Sequence, residues 1–417
     1  MNAGHRLHIA QFTNFYHPVV NGVVHSVSLY RRALTALGHN VFVFAQSASD
    51  FEDDEPFIFR YPAVPIPSQA DISAAIPIAP YLDRVIPCLK IDVIHTHHPF
   101  LLGQVAATKA EELDVPLVFT FHTRYRDYSH YFPLPAEFVQ EFIKTAIDSW
   151  LGEFMEKCQH IIVPSQSMLE VLSEGYGLNE QVSVIPTGIE LEPYFKANGA
   201  RMRRRLGWGN DRVLITVGRL APEKNLNTLL QAAAIAMEHH PDLRLVMVGD
   251  GPSRKELKKL AIELGIAERV DFHGKVQFDD IPALLKGADL FGFASVTETQ
   301  GMVTMEALAA GLPVAAVDAS GTCDVVTDGS DGILSENDPE SLARAFCTIL
   351  DSPELYNSFR EAAGRKAISF DIQYLASKMV DVYTEAIEDR KAGRKVSLTK
   401  PKLFPIDWRI FSSLSNN

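Results

Sequence analysis

The sequence contains few cysteines, no long apolar run and no excess of positive charge. Four cysteines occur among 417 residues, Cys88, Cys158, Cys323 and Cys347, and no two have C-x-x-C spacing. Their scatter disfavours a zinc site and a disulfide framework, and it fits a reducing cytoplasm. No uninterrupted apolar run reaches the roughly 18 residues that a membrane-spanning helix needs. The net charge of −13 argues against a nucleic-acid partner.

Length and composition indicate a globular protein with more than one domain. At 417 residues the chain is too long for one hydrophobic core, so we predict two domains of roughly 200 residues each. The composition is 47% hydrophobic and 22% charged, which is typical of globular proteins. Residues 1–7 are polar and lead directly into a predicted strand, which leaves no room for a signal peptide. We therefore expect a cytoplasmic location.

The stretch from Phe293 to Gly311 predicts a strand, a loop and a helix. Residues 290–294 are apolar and predict a buried strand, and residues 295–301 form a polar turn. Apolar residues recur at helical spacing from Met302 onward. The loop is therefore predicted at the carboxyl end of a strand, where open α/β sheets bind ligands.

Two glutamates flank the start of this helix. Glu298 lies in the loop and Glu306 in the second helical turn. Compensation of the helix dipole is the ordinary explanation of such a glutamate, but it fits the loop residue Glu298 poorly. A glycosidase-type acid/base pair is another alternative. However, the eight residues from Glu298 to Glu306 would span about 12 Å as a helix, beyond the roughly 5 to 9.5 Å that such pairs need. We interpret the two carboxylates as holding two parts of one ligand.

A turn near the amino terminus is a candidate phosphate-binding loop. A strand is predicted at residues 7–12 and a helix at 23–37, and Asn21 and Gly22 stand immediately before the helix. Backbone N–H groups at a helix start attract phosphate, and glycine allows close approach. An ordinary turn is the alternative for this P-x-x-N-G sequence.

Histidines follow two predicted strands of the first half. One strand carries His95, His97 and His98, and the strand at 116–121 is followed by His122. A metal reading of the first three is disfavoured, since they belong to a buried strand end and no acidic ligand cluster accompanies them. Although a lone histidine is usually structural, His122 stands at a strand's carboxyl end, where a ligand is expected.

A loop of the second half carries two cations between a strand and a helix. Gly218, Arg219 and Lys224 follow the strand predicted at 213–217. Arg219 offers a planar fork and Lys224 a mobile point charge, and together they suit a diphosphate. The alternative is that both are ordinary surface charges. Their position in a loop between a strand and a helix disfavours that alternative.

These motifs resemble those of the retaining glycosyltransferases of family 4, which have the GT-B fold. The E-x7-E pair matches the family signature, G-R-x-x-x-E-K-N from Gly218 matches its diphosphate-binding loop, and F-H-T places His122 as its active-site histidine. Residues 186–190 are similar to the family's interdomain linker. The longer pattern H-T-x-Y-x-D-Y-x-H-Y from His122 resembles the sequence found in the bacterial branch of this family whose enzymes glucosylate diacylglycerol. The resemblance covers about residues 7–390.

The chain departs from the family pattern at two places. The family usually has two adjacent glycines where this sequence has Asn21 and Gly22, and we expect the tolerance of asparagine for left-handed φ to preserve the loop. Residues 319–324 replace the usual G-G-x-x-E, with Asp324 where glutamate is common.

The resemblance implies an α/β protein of the GT-B type. Two Rossmann-like domains are expected to face a central cleft, with a C-terminal helix crossing back to the first domain. The acceptor-binding domain is predicted at 1–187, the nucleotide-sugar-binding domain at 188–370, the crossover helix at 371–390 and a basic, aromatic tail at 391–417.

The implied activity is retaining transfer of a hexose from a nucleotide-sugar, UDP-glucose or UDP-galactose, to a lipid such as diacylglycerol. A soluble or polysaccharide-precursor acceptor and GDP-mannose-dependent mannosyl transfer are the alternatives. No metal or other cofactor is expected, because cations stand where other glycosyltransferases hold a D-x-D-bound metal. The residues implied in catalysis are His122, Arg219, Lys224 and Glu298. Those implied in donor binding are Asn21, Gly22, Gly218, Arg219, Lys224, Gly249, Lys275, Val276, Glu298, Gln300, Gly301, Met302, Val303 and Glu306.

Other classes of GT-B protein fit the sequence less well. One alternative is a GT-B epimerase or phosphorylase, but epimerases of this shape lack E-x7-E and usually carry acid/base carboxylates in the first domain. Another is a non-enzymatic sugar-nucleotide scaffold, which is expected to lose Arg219, Lys224 or Glu298, and all three are present.

Two segments outside the donor loops suit a membrane surface. An aromatic helix is predicted at 136–159, for which core packing is the alternative. The tail combines cations with Phe404 and Trp408, which favours an anionic membrane contact, and a disordered basic tail is the alternative. We therefore expect a peripheral enzyme on the inner face of the membrane, with its oligomeric state left open.

Overall fold

A computed structural model describes residues 6–48, 51–65, 73–123 and 137–399. The chain divides into two compact units. The first contains the described residues up to Ile185 and from Ala376 onward, and the second is Pro186–Leu375. Within the described residues, no helix is both long and apolar enough to cross a membrane.

The first unit is built on a parallel sheet of seven strands among its described residues, with a small antiparallel pair beside it. The seven strands are β1 (His8–Thr13), β2 (Asn40–Gln46), β3 (Ile58–Tyr61), β6 (Val93–Thr96), β7 (Leu117–Thr120), β8 (His160–Val163) and β9 (Val182–Val184), and the pair is β4 (Ala63–Pro65) and β5 (Ser73–Ala75). The helices are α1 (Gly22–Ala36), α2 (Pro80–Val85), α3 (Leu102–Glu112), α4 (Glu137–Met155) and α5 (Gln166–Tyr176).

The second unit contains a parallel sheet of six strands in the part of the chain described here. The strands are β10 (Arg212–Val217), β11 (Leu243–Val248), β12 (Val270–Gly274), β13 (Leu290–Phe293), β14 (Val314–Val317) and β15 (Gly332–Ser335). The helices are α6 (Glu192–Lys196), α7 (Gly199–Leu206), α8 (Leu226–His239), α9 (Arg254–Glu263), α10 (Ile281–Gly287), α11 (Met302–Ala309), α12 (Pro339–Asp351), α13 (Pro353–Ala367) and α14 (Ile372–Lys391). Helix α14 begins in this unit and continues into the residues of the first.

Both parallel sheets are doubly wound. The strand order is β3-β2-β1-β6-β7-β8-β9 in the first and β12-β11-β10-β13-β14-β15 in the second. Strands such as β13 and β14 are buried along their whole length, as expected of parallel strands covered by helices on both faces. The winding reverses between β1 and β6 and between β10 and β13, and ligands bind at the carboxyl ends of strands at such points.

Helix α4 and the segment after α14 contribute to the hydrophobic core of the first unit. Phe154 of α4 is fully buried, and the half-buried Trp150 packs against the same cluster, so these two residues follow the core-packing alternative. Val396 is also buried in this cluster. For the rest of the aromatic helix, the side chains of residues 137–144 lie outside the described part.

The cations at the start of the tail are paired with carboxylates. Arg390 lies 3.0 Å from Glu111, Lys395 lies 3.7 Å from the same carboxylate, and Arg394 lies 2.5 Å from Asp389. Val396 is buried against the first unit and Leu398 is half-buried there, whereas Lys391, Arg394 and Lys395 are exposed. The membrane contact predicted for the tail stays a prediction. Lys400, Lys402, Phe404 and Trp408 fall outside the described residues.

Candidate functional site

The ion pair between Lys224 and Glu298 joins the two most informative loops. β10 and β13 are neighbours in the sheet, so the loops that follow them lie side by side. The Lys224 ammonium is paired with the Glu298 carboxylate, and their side chains are 26% and 18% exposed. Residues predicted to bind different parts of one ligand thus contact each other in this structure.

Asn225 holds the backbone turn that presents Lys224. Its φ of 51° is left-handed, which asparagine tolerates better than most residues. Its amide nitrogen donates to the Ala294 carbonyl at 3.1 Å and to Asn337 at 2.7 Å. Since Ala294 directly follows β13, Asn225 ties the cationic loop to the glutamate loop.

The Arg219 side chain is exposed, and it forms no hydrogen bond or ion pair with any described residue. Its guanidinium keeps all its donors for an anion. It stands two residues after the end of β10, at the point where the winding of the sheet reverses. An uncompensated cation at this place fits a phosphate site better than a structural role.

Gly249 allows two loops to approach closely. Its φ is +130°, and a Cβ there would lie 1.9 Å from the Gly218 carbonyl oxygen. Its N–H donates to the Gly274 carbonyl at 2.8 Å, which links the end of β11 to the end of β12. Gly249 therefore serves loop packing in this structure. The predicted base-lining residues Lys275, exposed, and Val276, half-buried, follow directly.

Gln300 contacts the linker backbone. Its amide accepts from the Thr187 N–H and donates to the Thr187 carbonyl, both at 2.8 Å, and it is 5% exposed. Because both ends of the amide are occupied, the Gln300 side chain positions the loop that carries Glu298. The predicted contact of this residue with the donor stays a prediction.

Helix α11 begins directly after Gly301, whose φ of 66° is left-handed. Met302 and Val303, both half-buried, are its first residues, and the N–H groups of a first helical turn have no intrahelical acceptor. This helix start is the kind of place where a phosphate or hydroxyl oxygen is bound.

Gly321 was not identified by sequence reasoning, and it determines the shape of the Glu298 loop. A Cβ at Gly321 would lie 2.6 Å from the Glu298 carbonyl oxygen and 2.8 Å from the Gln300 nitrogen. Asp324 accepts a hydrogen bond from the Gly321 N–H at 3.1 Å. The aspartate that replaces the usual glutamate thus holds its own loop against the loop of Glu298.

Glu306 is a buried carboxyl with a tyrosine partner. It is 7% exposed, and burial raises its pKa to about 7, opposed in part by a hydrogen bond with Tyr194. Burial, with the nearby Glu306 carboxyl, also raises the pKa of Tyr194. Sequence reasoning missed Tyr194, because nothing in its local pattern distinguishes it from a core tyrosine.

Asn21 caps α1. Its side chain accepts from the Val24 N–H at 2.9 Å, and its φ of −153° is extended. The expected left-handed conformation is therefore wrong, and the asparagine acts as a helix cap instead. Gly22 begins the helix, and a Cβ there would meet no atom within 4 Å.

Three histidines of the first unit lie together, His95 and His97 being buried and His122 half-buried. His97 Nδ1 lies 2.9 Å from His122 Nε2, and the His95 and His97 ring centroids are 4.4 Å apart. His95 is held by the Tyr383 hydroxyl at 2.8 Å and by Thr120 at 2.7 Å. Burial lowers the pKa of His95 to about 3 and that of His122 to about 4, so both are neutral near pH 7.

Asn14, another residue that sequence reasoning missed, ties the loop after β1 to the loop after β6. Its N–H donates to His98 Nδ1 at 3.1 Å, its amide donates to the Phe100 carbonyl at 3.2 Å, and its oxygen accepts from the Leu102 N–H at 3.1 Å. Among the described residues, no hydrogen bond joins Asn21 or Gly22 to His122. Residues 124–131 of the H-T-x-Y-x-D-Y-x-H-Y pattern lie outside the described residues.

The structure thus contains two doubly wound α/β units, with a lysine–glutamate ion pair at the switch point of the second. Residues 20–193 match the Glycosyltransferase Family 4 pattern, and residues 200–366 match that of Glycosyl transferases group 1. The chain belongs to this family of glycosyltransferases, which confirms the resemblance read from its motifs.

Three proteins illustrate what the chain is similar to. The alpha-monoglucosyldiacylglycerol synthase of Acholeplasma laidlawii is 30% identical over 406 residues, covering 93% of this chain and 100% of that protein. A D-inositol 3-phosphate glycosyltransferase of Thermobispora bispora is 32% identical over 317 residues, 72% of each chain. The Anabaena protein HepE, solved with UDP and glucose, has a TM-score of 0.70 at 21% identity and covers 91% of this chain and 100% of its own. The last comparison confirms the GT-B fold.

Proposed function

We propose that this protein transfers a hexose from a UDP-sugar, with glucose as the favoured sugar, to diacylglycerol, with retention of the anomeric configuration. The observation that carries the transferase assignment is the arrangement at the switch point of the second sheet. Lys224 and Arg219 follow β10, and Glu298 follows the neighbouring β13. Two cations that suit a diphosphate thus adjoin a carboxylate that suits sugar hydroxyls, which supports the proposal.

In the proposed reaction the bond between the anomeric carbon and the diphosphate oxygen breaks. A bond between that carbon and the acceptor oxygen forms on the same face. The proton of the acceptor hydroxyl passes to an oxygen of the leaving diphosphate. Arg219 and Lys224 stabilise the negative charge that grows on this leaving group, which is electrostatic catalysis.

Three further residues are assigned to the donor. Glu298 binds the sugar hydroxyls, and Glu306 binds the ribose hydroxyls from its buried position in the second turn of α11. His122, in the first unit, contacts the transferred sugar. These assignments follow the family resemblance and the positions of the side chains at strand ends.

The lipid acceptor is supported by the full-length similarity to a diacylglycerol glucosyltransferase. That similarity extends over 93% of this chain, including the first unit. The similarity to an inositol phosphate glycosyltransferase covers 72%, and it keeps a soluble acceptor as the second candidate.

A matrix of donors and acceptors tests the proposal. The full chain is incubated with UDP-glucose, UDP-galactose or GDP-mannose, and with diacylglycerol in mixed micelles or inositol phosphate in solution. We expect release of UDP with UDP-glucose and diacylglycerol, and an α-linked glycolipid by NMR. Transfer only to inositol phosphate would replace the lipid by the soluble acceptor, and a β-linked product would overturn retention.

Metal independence belongs to the same proposal, because Arg219 and Lys224 supply the positive charge at the diphosphate. Transfer is expected to continue in excess EDTA. Complete loss that manganese or magnesium restores would contradict it.

Membrane association is tested by sedimentation with anionic and neutral liposomes. Since residues up to 399 pack onto the first unit, the informative truncation ends at Thr399, which removes the remaining cations and aromatics without exposing the core residue Val396. We expect the full chain to bind anionic liposomes and the truncated chain to bind them less. Equal binding of both chains would assign the membrane contact elsewhere.

A further inference from the structure

We propose that His97 is a positioning residue that fixes His122 in a single tautomer, with the proton on Nδ1. The inference rests on the function proposed above, in which His122 contacts the transferred sugar. One hydrogen bond of 2.9 Å joins His97 Nδ1 to His122 Nε2. The ring that donates in this bond determines whether the other nitrogen of His122 is a hydrogen-bond donor or an acceptor for a ligand.

Both rings are neutral, so the bond between them has a direction. Burial lowers the pKa of His122 to about 4. Burial, and then the neighbouring histidines, lower the pKa of His97 well below its ordinary value. A neutral imidazole has one N–H donor and one bare nitrogen acceptor. His97 either donates from Nδ1 or accepts there and carries its proton on Nε2.

The second nitrogen of His97 decides between these alternatives. The residue is 2% exposed, and its Nε2 has no hydrogen-bond partner among the described residues. A proton on Nε2 would bury an N–H without an acceptor, and such orphaned donors are rarer in proteins than under-satisfied acceptors. If the proton is on Nδ1, Nε2 is a bare acceptor nitrogen. His97 therefore donates to His122.

The consequence for His122 is a fixed role. Because its Nε2 accepts the bond from His97, its own proton lies on Nδ1. No described residue accepts a hydrogen bond from this N–H. A hydroxyl or ring oxygen of the sugar can accept it. His122 thus serves the sugar as a neutral hydrogen-bond donor, and Nδ1 is unavailable as a general base.

His97 itself is held in place by its neighbours. The His95 ring lies against it at 4.4 Å between centroids, and His95 is anchored by Tyr383 and Thr120. The cluster therefore sets the ring of His97 before any ligand binds, which is the preorganisation that a hydrogen-bond donor to a reacting sugar needs.

The tautomer of His122 is measured by NMR on the full chain labelled with ¹⁵N-histidine. His122→Asn identifies its resonances by their loss. His97→Asn keeps an amide donor at the place of Nδ1, His97→Gln moves the amide to the place of Nε2, and His97→Leu has no donor. We expect a protonated Nδ1 and bare Nε2 on His122 in the wild type and in His97→Asn, and loss of this preference in the other two variants.

Kinetics give a second measurement on the same variants. The kcat of transfer is expected to fall about tenfold in His97→Leu and His97→Gln, with little change in the KM of the donor, and to recover in His97→Asn. A purely structural role would not distinguish the asparagine from the glutamine.

A wild-type His122 protonated on Nε2 would overturn the inference, and so would a tautomer unchanged in His97→Leu and His97→Gln. If His97→Leu does not fold, the His122 tautomer is compared between the wild type, His97→Asn and His97→Gln, and this comparison still tests the inference. If no donor and acceptor support transfer, the proposed function fails, while the NMR measurement tests the tautomer independently.

Discussion

The two units place different chemistry at the carboxyl ends of their strands. In the first unit the residues there are histidines, which burial holds neutral. In the second unit they are an exposed arginine and an ion pair of lysine and glutamate. The same doubly wound arrangement thus provides neutral hydrogen-bonding groups in one unit and charge in the other.

The largest effect is expected from removing the uncompensated cation of the second unit. Arg219→Ala should lower kcat by roughly 10²- to 10³-fold, because the guanidinium acts on charge that develops in the transition state. The measurement is steady-state release of nucleoside diphosphate. Lys255→Ala, which removes an exposed cation on α9, is the matched control and should retain wild-type kcat. Equal activity of the two variants would remove Arg219 from the catalytic site.

Breaking the ion pair between Lys224 and Glu298 is expected to affect UDP binding and sugar transfer in opposite directions. Glu298→Gln should lower kcat/KM by about 10- to 100-fold through loss of a charged hydrogen bond to the sugar. UDP, which has no sugar to be transferred, should bind more tightly, because Lys224 no longer has a competing carboxylate. Calorimetric titration with UDP measures this.

The matched control for that variant is Glu268→Gln, an exposed glutamate beside β12. It should change neither transfer nor UDP affinity. Weaker UDP binding in Glu298→Gln would show that the pair supports the diphosphate site and does not compete with it.

The role of Gln300 is tested by stability. Gln300→Leu leaves the buried Thr187 N–H and carbonyl without partners, so the free energy of unfolding should fall by roughly 2 to 4 kcal/mol. Gln277→Leu, at an exposed loop position, is the control and should leave stability nearly unchanged. Urea denaturation followed by circular dichroism compares them. Similar midpoints for the two variants would return Gln300 to a role in donor contact.

The smallest effect depends on pH. Because burial raises the pKa of Glu306 to about 7, its contribution to stability is fully present below its unfolded value and is lost as pH rises through about 7. Glu306→Gln does not titrate, so it should gain stability relative to wild type as pH rises from about 4.5 to 7, by an amount on the order of 1 to 3 kcal/mol. Thermal denaturation in matched buffers measures this difference, which should be flat for Glu268→Gln. A flat difference for Glu306→Gln as well would mean that its carboxylate is stabilised when ionised.

Much of the fold was predictable because local patterns coincide with the architecture. The apolar run, polar turn and helical spacing from residue 290 predicted β13 and α11, and the structure confirms both. Parallel strands buried on both faces are continuous apolar runs, which the sequence shows directly. The order of strands in each sheet was not readable from spacing, since it depends on which strands pair.

The candidate site was predictable only in part. Lys224 and Glu298 could be identified one at a time, because each lies in a loop after an apolar strand, but their pairing joins positions far apart in sequence. Gln300 was assigned to the ligand because it adjoins Glu298, and the direction of its side chain toward Thr187 depends on packing. Tyr194 had no local signal at all.

The sequence by itself determined the family, the two α/β halves and the residue types available to bind a diphosphate and a sugar. The family follows from the resemblance of the motifs, the two halves from hydrophobic periodicity, and the residue types from the side chains that stand at strand ends. Only the tertiary structure decided which of those side chains are free and which are engaged. Arg219 is left without a partner among the described residues, Gln300 is occupied by the linker, and His97 is turned onto His122. The physical reason is that hydrogen bonds and burial depend on distances across the fold, and no local pattern in the chain encodes them.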